Sequence, residues 1–307
     1  MKCIAYIGGQ IPPGFDQVWG GTTATNHAYL KAFYQDPDWY IDILPRQHIR
    51  NHVDIQEFCI GADIVHLDDT SICEMMYNTN MSPPDVIGPI TRSPLKNYGG
   101  WQATYSAEWF YTARIIRLNY NEERKHKDRV TLIVHGVDTD TLQLDTITPK
   151  TQILWAGQAT RTAKNHDLWQ EIQQTPAPTG YNYHTLSKYA IEDYWQELSK
   201  TAVVVCTSLY ESFCNAAFEA LACGVPVVWQ KGLHGKRTRS SVPLWEDAGI
   251  RCEYTADGFH DGIKTALTMD EQQRMDMRQY VLDHCSLKHM RNSYVKVFTE
   301  VLDAKKI

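Results

Sequence analysis

Short apolar runs alternate with longer polar or amphipathic stretches along this chain. In the first half the runs are Cys3–Ile7, Tyr40–Leu44, Ala62–Leu67, Val86–Thr91, Ala113–Leu118 and Val130–Val134. Each has strand length and is too short for a buried helix. The second half repeats the scheme with Gln152–Ala156, a weaker Tyr181–Tyr183, Ala202–Cys206, Val225–Trp229 and Ile250–Tyr254. Helical patterns lie between them over Thr185–Leu198 and Phe213–Cys223. Strands alternating with helices predict an α/β protein built on mostly parallel sheets. Met290, Tyr294, Val297, Phe298, Val301 and Leu302 recur at helical spacing, which predicts a terminal helix over Leu287–Leu302 with Ser286 as its N-cap. The polar segment Thr146–Lys150, containing Pro149, separates the two halves. The expected domains are 1–147, 148–286 and a tail helix over 287–307.

Composition narrows the class. The 307 residues suffice for two compact domains. Hydrophobic residues at 43% and charged residues at 21% are ordinary for a soluble globular chain. A net charge of -6 excludes a general attraction to nucleic acid or anionic lipid. No apolar run reaches the ~20 residues of a membrane-spanning helix. The start, Met1 to Gly9, reads as a first strand and not as a signal peptide. Eight cysteines are scattered without a C-x-x-C pair, which predicts reduced thiols, a cytoplasmic protein and no zinc site.

The most specific stretch runs Tyr210-Glu211-Ser212-Phe213-Cys214-Asn215-Ala216-Ala217-Phe218-Glu219-Ala220-Leu221-Ala222-Cys223-Gly224-Val225-Pro226-Val227-Val228. It reads strand, loop, helix, Gly stop, strand, a parallel crossover. Glu211 falls in the loop after the strand Ala202–Cys206, at the carboxyl end where open α/β sheets bind ligands. Glu219, eight positions on, falls about two turns further along the helical side. Phe213, Ala217 and Leu221 can pack that helix on the sheet.

This wording resembles the nucleotide-sugar signature of retaining glycosyltransferases of family 4. It matches at Glu211, Phe213, Glu219, Ala220, Gly224, Pro226, Val227 and Val228, and departs at Cys214, where the family usually has Gly. The resemblance implies the GT-B fold, two Rossmann-like domains with a cleft between them and a C-terminal helix crossing back on the first. It also implies retaining, metal-independent sugar transfer from a nucleotide-diphosphate sugar, with a UDP-sugar as co-substrate and no further cofactor.

Residue roles follow from the same resemblance. The stretch Ile153 to Asn165 looks like the family's strand, G-R-L loop and K-N, with Gln158 standing where Arg is usual. Lys164 then holds the departing diphosphate, and Arg161 replaces the missing cation. Fixed cations are the physical need, because the leaving group gains charge as the glycosidic bond breaks. Glu211 meets donor-sugar hydroxyls and Glu219 the ribose hydroxyls, since a carboxylate only accepts. Backbone N–H groups around Ser212, Phe213, Cys214 and Asn215 open the helix toward phosphate. Tyr183 and His184 lie where family members contact the base. Glu211, Lys164 and Arg161 form the catalytic set. The resemblance also implies front-face attack within an ion pair, which needs no enzymic nucleophile, with the leaving phosphate as base toward the acceptor hydroxyl.

On the acceptor side, Gly20 and Gly21 resemble the family's N-terminal Gly-Gly loop, with Gly21 toward the donor phosphate. His66 ends a strand resembling D-V-V-H-x-H, a position equally suited to a core histidine. Arg92 and Ser93 stand where the family has its T-x-H histidine, which is absent. His135-Gly136-Val137-Asp138-Thr139-Asp140 resembles the N-G-V-D turn, so Asp138 is expected to cap that turn and no metal is expected on the D-x-D.

The acceptor stays open. Basic residues such as Arg114, Arg117, Arg124 and Lys125 and aromatics from Tyr98 to Tyr111 read singly as a solvated face and a core helix. Together they suit a hydroxymethylated base in DNA or a lipid acceptor, and a saccharide is as open. A GT-B epimerase or hydrolase and a non-catalytic nucleotide-sugar binder are the alternative classes.

Overall fold

The computed structural model describes residues 1–8, 28–33, 36–45, 48–50, 54, 57–59, 61–67, 101–106, 113–117, 130–142, 149–187, 191–209, 211, 213–231 and 248–303. Its strands are β1 (Lys2–Gly8), β2 (Trp39–Pro45), β3 (Ile64–Leu67), β4 (Trp101–Ser106), β5 (Ala113–Arg117), β6 (Val130–Leu132), β7 (Gln152–Ala156), β8 (Asn182–Leu186), β9 (Thr201–Cys206), β10 (Val227–Gln230) and β11 (Ile250–Cys252). Its named helices are α1 (His166–Ile172), α2 (Ile191–Lys200), α3 (Asn215–Ala222), α4 (Ala256–Leu267), α5 (Glu271–Cys285) and α6 (Leu287–Asp303).

The chain forms two compact units. One takes residues up to Gly136 and the segment from Leu287 onward, and the other takes Val137–Ser286. This break precedes the polar segment Thr146–Lys150 at which the sequence places it. The passage after Gly136 is tied into the second unit. Val137 N donates to Cys285 O at 2.7 Å, and Arg278 Nη1 donates to Leu142 O at 2.9 Å. Asp138 caps the turn between, its Oδ1 accepting from Thr141 N at 3.2 Å.

The first unit holds a six-stranded sheet in the order β2-β1-β3-β4-β5-β6. β1 is parallel to β2 and β3, but β4 runs antiparallel to both β3 and β5. The aromatic stretch around β4, expected in a core helix, is a strand here over Trp101–Ser106. Trp-Gln-Ala-Thr-Tyr-Ser instead carries the two-residue period and the aromatic and β-branched content of a strand. The predicted run Val86–Thr91 lies outside the described residues. The core joins Ile4, Tyr6, Tyr29, Phe33, Trp39 and Ile64 to Met290, Tyr294, Val297 and Phe298 of α6. The terminal helix thus buries Met290, Tyr294, Val297 and Phe298 of its predicted stripe in this unit, and an Arg291–Asp36 ion pair fixes it further.

The second unit is a parallel sheet in the order β11-β10-β9-β7-β8. β9 is buried at every position, as its unbroken apolar run predicts. Trp155, Trp169, Val203, Val205, Val228, Phe259 and Ile263 share its core with α1 and α4. Phe213 stacks on Phe218 at 4.3 Å and anchors the start of α3. The helix stops at Gly224, whose φ of 69° is free of the penalty a side chain would bring there. Thr185 and Leu186 continue β8 where a helix was expected, and α2 is described over Ile191–Lys200.

Gly262 of α4 lies against β10, where an added Cβ would stand 2.6 Å from Val228 Cγ1. Val228 is β-branched and fully buried, so it cannot turn aside. Gly262→Ala is expected to destabilise the protein by roughly 1–3 kcal/mol. Urea unfolding of the two proteins measures it, and equal midpoints would show that this contact is slack.

Candidate functional site

In the second sheet the chain leaves β7 toward β8 on one side and later returns to β9 on the other. Successive connections therefore diverge between β7 and β9. The carboxyl ends of two such strands leave a crevice, the usual ligand position of open α/β sheets. Three pieces converge there. A 3-10 turn over Thr162–Lys164 follows β7, Thr207, Ser208, Leu209 and Glu211 follow β9, and α3 begins at Asn215.

Lys164 and Glu211 form an ion pair through Nζ and Oε1. Ser208 Oγ donates to the same carboxylate oxygen at 2.7 Å. Burial disfavours the Lys164 ammonium, but the negative potential from the Cys214 sulfur, Glu211 and the Cys206 sulfur outweighs it. The net shift is upward, so the ammonium stays charged. A neutral thiol carries no charge, which leaves Glu211 as the counter-ion at neutral pH.

A hydrogen-bond frame holds these groups. Thr207 Oγ1 donates to the Lys164 and Asn165 carbonyls at 2.8 and 3.0 Å and accepts from Trp155 Nε1 at 2.9 Å. Tyr254 Oη donates to Thr207 O at 2.8 Å and accepts from Asn165 Nδ2 at 2.6 Å. Gln230 Nε2 donates to Ser208 O at 2.9 Å. Asn165, with φ 45°, takes the left-handed turn between Lys164 and α1. A small pocket lined by Lys164, Cys206, Ser208, Cys214, Ala216 and Ala217 opens among them.

Cys214 is the N-cap of α3 with φ 65° and ψ 72°. For a residue other than Gly this left-handed geometry costs about 1–2 kcal/mol. α3 begins at Asn215 and its residues Ala216 and Ala217 line the pocket, so the positive end of its dipole lies there and favours a negative ligand. One turn on, Glu219 is buried, and burial pushes its carboxyl up to about 7. The Trp195 indole works against that shift and the Asp138 carboxylate adds to it. Ligand atoms of Cys206, Glu211 and Cys214 lie within 4.8 Å of one another and could hold a soft cation. Lys164 already occupies Glu211, and its positive charge opposes a cation at that point.

Lys164, Glu211, Cys214 and Asn215 are therefore brought together as the sequence suggests. Gln158 and Arg161 lie on the same loop with exposed side chains. Phe213 contributes only its backbone, because its ring is core. Tyr183 and His184 are not brought to this crevice. They pair with Ile153 and Leu154, so Tyr183 lies roughly 10 Å short of the carboxyl end at the usual strand rise. Tyr183 packs on Trp169 and approaches His260 Nδ1 at 3.4 Å, and His184 lies 3.7 Å from Glu197. His66 is fully buried in the first unit, stacked on Tyr29 at 4.9 Å beside Tyr6 and Tyr294, the surroundings of a core histidine. Gly20, Gly21, Arg92, Ser93 and Ser212 lie outside the described residues. Thr207, Ser208, Gln230 and Tyr254 escaped sequence reasoning. The available signal was polar residues directly ending the apolar strands β9 and β10.

Residues 124–263, which contain all of the crevice groups from Lys164 to Tyr254, match the family model described as glycosyl transferases group 1. No curated protein matches the chain. Among solved structures, sucrose-phosphate synthase from Thermosynechococcus elongatus aligns over 99% of this chain and 100% of its own, with 14% identity and a TM-score of 0.62. HepE of Anabaena, solved in complex with UDP and glucose, aligns over 98% and 100% at 10% identity and 0.64. The lipopolysaccharide outer core galactosyltransferase WaaB aligns over 97% and 99% at 10% and 0.55. The shared architecture is GT-B. The match to glycosyl transferases group 1 spans the β7/β9 crevice within that architecture.

Removing Lys164 strands a half-buried carboxylate. Lys164→Met is expected to cost roughly 1–3 kcal/mol of stability, and adding Glu211→Gln should restore part of it. A double-mutant cycle by urea unfolding reads the coupling, and additive losses would show that the pair contributes nothing.

Proposed function

We propose that this protein is a glycosyltransferase that moves a sugar from a UDP-sugar to an acceptor hydroxyl, with retention of configuration and without a metal ion. The observation that carries the proposal is the charged Lys164 at the β7/β9 switch point, beside the N-terminus of α3. A nucleotide diphosphate develops negative charge as its bond to the sugar breaks. Lys164 and the first-turn N–H groups offer fixed positive potential to that charge without solvent reorganisation. The ammonium supplies within the chain the role that a divalent cation plays elsewhere.

The ion pair changes partners on binding. The diphosphate takes Lys164, and Glu211 turns its oxygens to the sugar hydroxyls. Ser208 keeps the loop end of Glu211 in place. Glu219 accepts from the ribose hydroxyls when ionised. The leaving phosphate takes the acceptor's proton as the sugar is captured on the same face. That HepE was solved with UDP and glucose supports the choice of donor. The acceptor class is a saccharide, a lipid or a hydroxymethylated base, to be decided by screening.

Turnover of UDP-glucose with an acceptor panel tests the reaction. Lys164→Ala is expected to lower kcat about 10²–10³-fold, in line with loss of one fixed group at a developing charge. EDTA should leave the wild-type rate unchanged. Loss of activity in EDTA, or an unaffected Lys164→Ala, would sink this reading.

The Glu219 assignment has a pH signature. Its carboxyl sits at about 7, above the usual carboxylate value, so below that pH it must lose a proton to accept the ribose hydroxyls. UDP-glucose, which has no group titrating near neutrality, should bind more tightly as pH rises toward 7 and level off above it. The slope should approach tenfold per pH unit well below 7. Titration calorimetry from pH 5.5 to 8.5 measures this, and Glu219→Gln should flatten the profile. An equally steep profile in Glu219→Gln would remove Glu219 from the ribose site.

A further inference from the structure

The two sulfurs at the pocket are placed for chemistry that sugar transfer does not use. Cys206 ends β9 and Cys214 caps α3, and their Sγ atoms lie 3.9 Å apart. Cys214 occupies a left-handed position that Gly would fill without strain. The chain therefore keeps a thiol there against a backbone penalty, and what that thiol reaches is Cys206. We propose that Cys206 and Cys214 form a reversible disulfide, made by a hydroperoxide, that closes the donor pocket.

The surroundings select this pair. The hydrogen bond from Cys214 holds the Cys206 thiol below its usual range against burial and the Glu211 charge, with the Lys164 ammonium assisting. Burial pushes Cys59, Cys252 and Cys285 up to about 12 and Cys223 up to about 11. Thiolate is the reactive species toward peroxide, so among the described cysteines oxidation favours this site. Cys214 is partly exposed and borders the pocket, which gives a molecule as small as hydrogen peroxide a way in.

The step balances. One thiolate attacks the peroxide O–O bond and becomes a sulfenic acid, releasing hydroxide that takes a proton to become water. The second thiol attacks the sulfenic sulfur, the S–O bond breaks, and a second water leaves. Two thiols and one hydrogen peroxide give one disulfide and two waters. A dithiol reverses the change by exchange.

The consequence follows from distance. The sulfurs must close from 3.9 Å to about 2.05 Å, which draws the start of α3 toward β9. Ser208 and Glu211 lie within the loop so closed. Displacements of this size at a binding site cost up to about a hundredfold. The link to donor binding rests on the proposed UDP-sugar site, while the disulfide chemistry does not.

The test treats the full-length protein with hydrogen peroxide, blocks free thiols, maps peptides by mass spectrometry, and measures UDP-glucose affinity before and after. The expected result is a Cys206–Cys214 linked peptide, at least a tenfold loss of affinity, and recovery with dithiothreitol. Cys206→Ser should keep its own affinity through peroxide treatment, and Cys214→Ser checks the same point should the first variant fold poorly. Oxidation that leaves these two thiols free overturns the proposal. A linked peptide with unchanged affinity overturns the closure. Zinc bound tightly by the pair and released by EDTA overturns it in favour of a metal site. A linked peptide in a protein whose reduced form binds no UDP-glucose contradicts the proposed function and leaves the thiol chemistry standing.

Discussion

The contact on which the second unit's chemistry turns is the ion pair of Lys164 with Glu211. A lysine at the edge of a parallel sheet is ordinarily solvated. Here Thr207 binds the carbonyls of Lys164 and Asn165, and Ser208 binds the carboxylate, so both partners are fixed before any ligand arrives. Such a pair contributes little net stability, since desolvation offsets much of the attraction. Its value is positional. It keeps a permanent cation at the point where strand order reverses and where α3 presents its amide groups.

The rest of the unit explains why that geometry is rigid. β9 is wholly buried, so its last residue cannot drift, and Thr207 and Ser208 continue directly from it. Gln230 of β10 and Tyr254, just after β11, reach across to hold the same two residues. Phe213 locks the other end of the loop by stacking on Phe218. A loop held at both ends can carry a strained residue such as Cys214 without relaxing, because the surrounding contacts over-determine its backbone. The same constraint places two thiols within reach of each other beside the pocket.

Much of this was legible in the sequence. Unbroken apolar runs gave β9 and β10, and the spacing of Glu211, Glu219 and Gly224 gave the loop, helix and stop between them. Where the structure differs from the sequence reading, the reasons are physical. Tyr183 and His184 were assigned by their place in a motif, but strand register decides which end of β8 a residue occupies, and register is set by pairing with β7. Trp101 to Ser106 was lost in an aromatic stretch whose two-residue period is short. Ser208 and Tyr254 act through tertiary contacts that no local pattern encodes. The unit boundary moved because Arg278 and Cys285, far along the chain, bind the passage after Gly136.

A crystal structure of the protein with UDP would test the central claim most directly. The account predicts the diphosphate within hydrogen-bond distance of Lys164 Nζ and of the first N–H groups of α3, with Glu211 released from the lysine. A diphosphate bound elsewhere, with Lys164 still paired to Glu211, would contradict it.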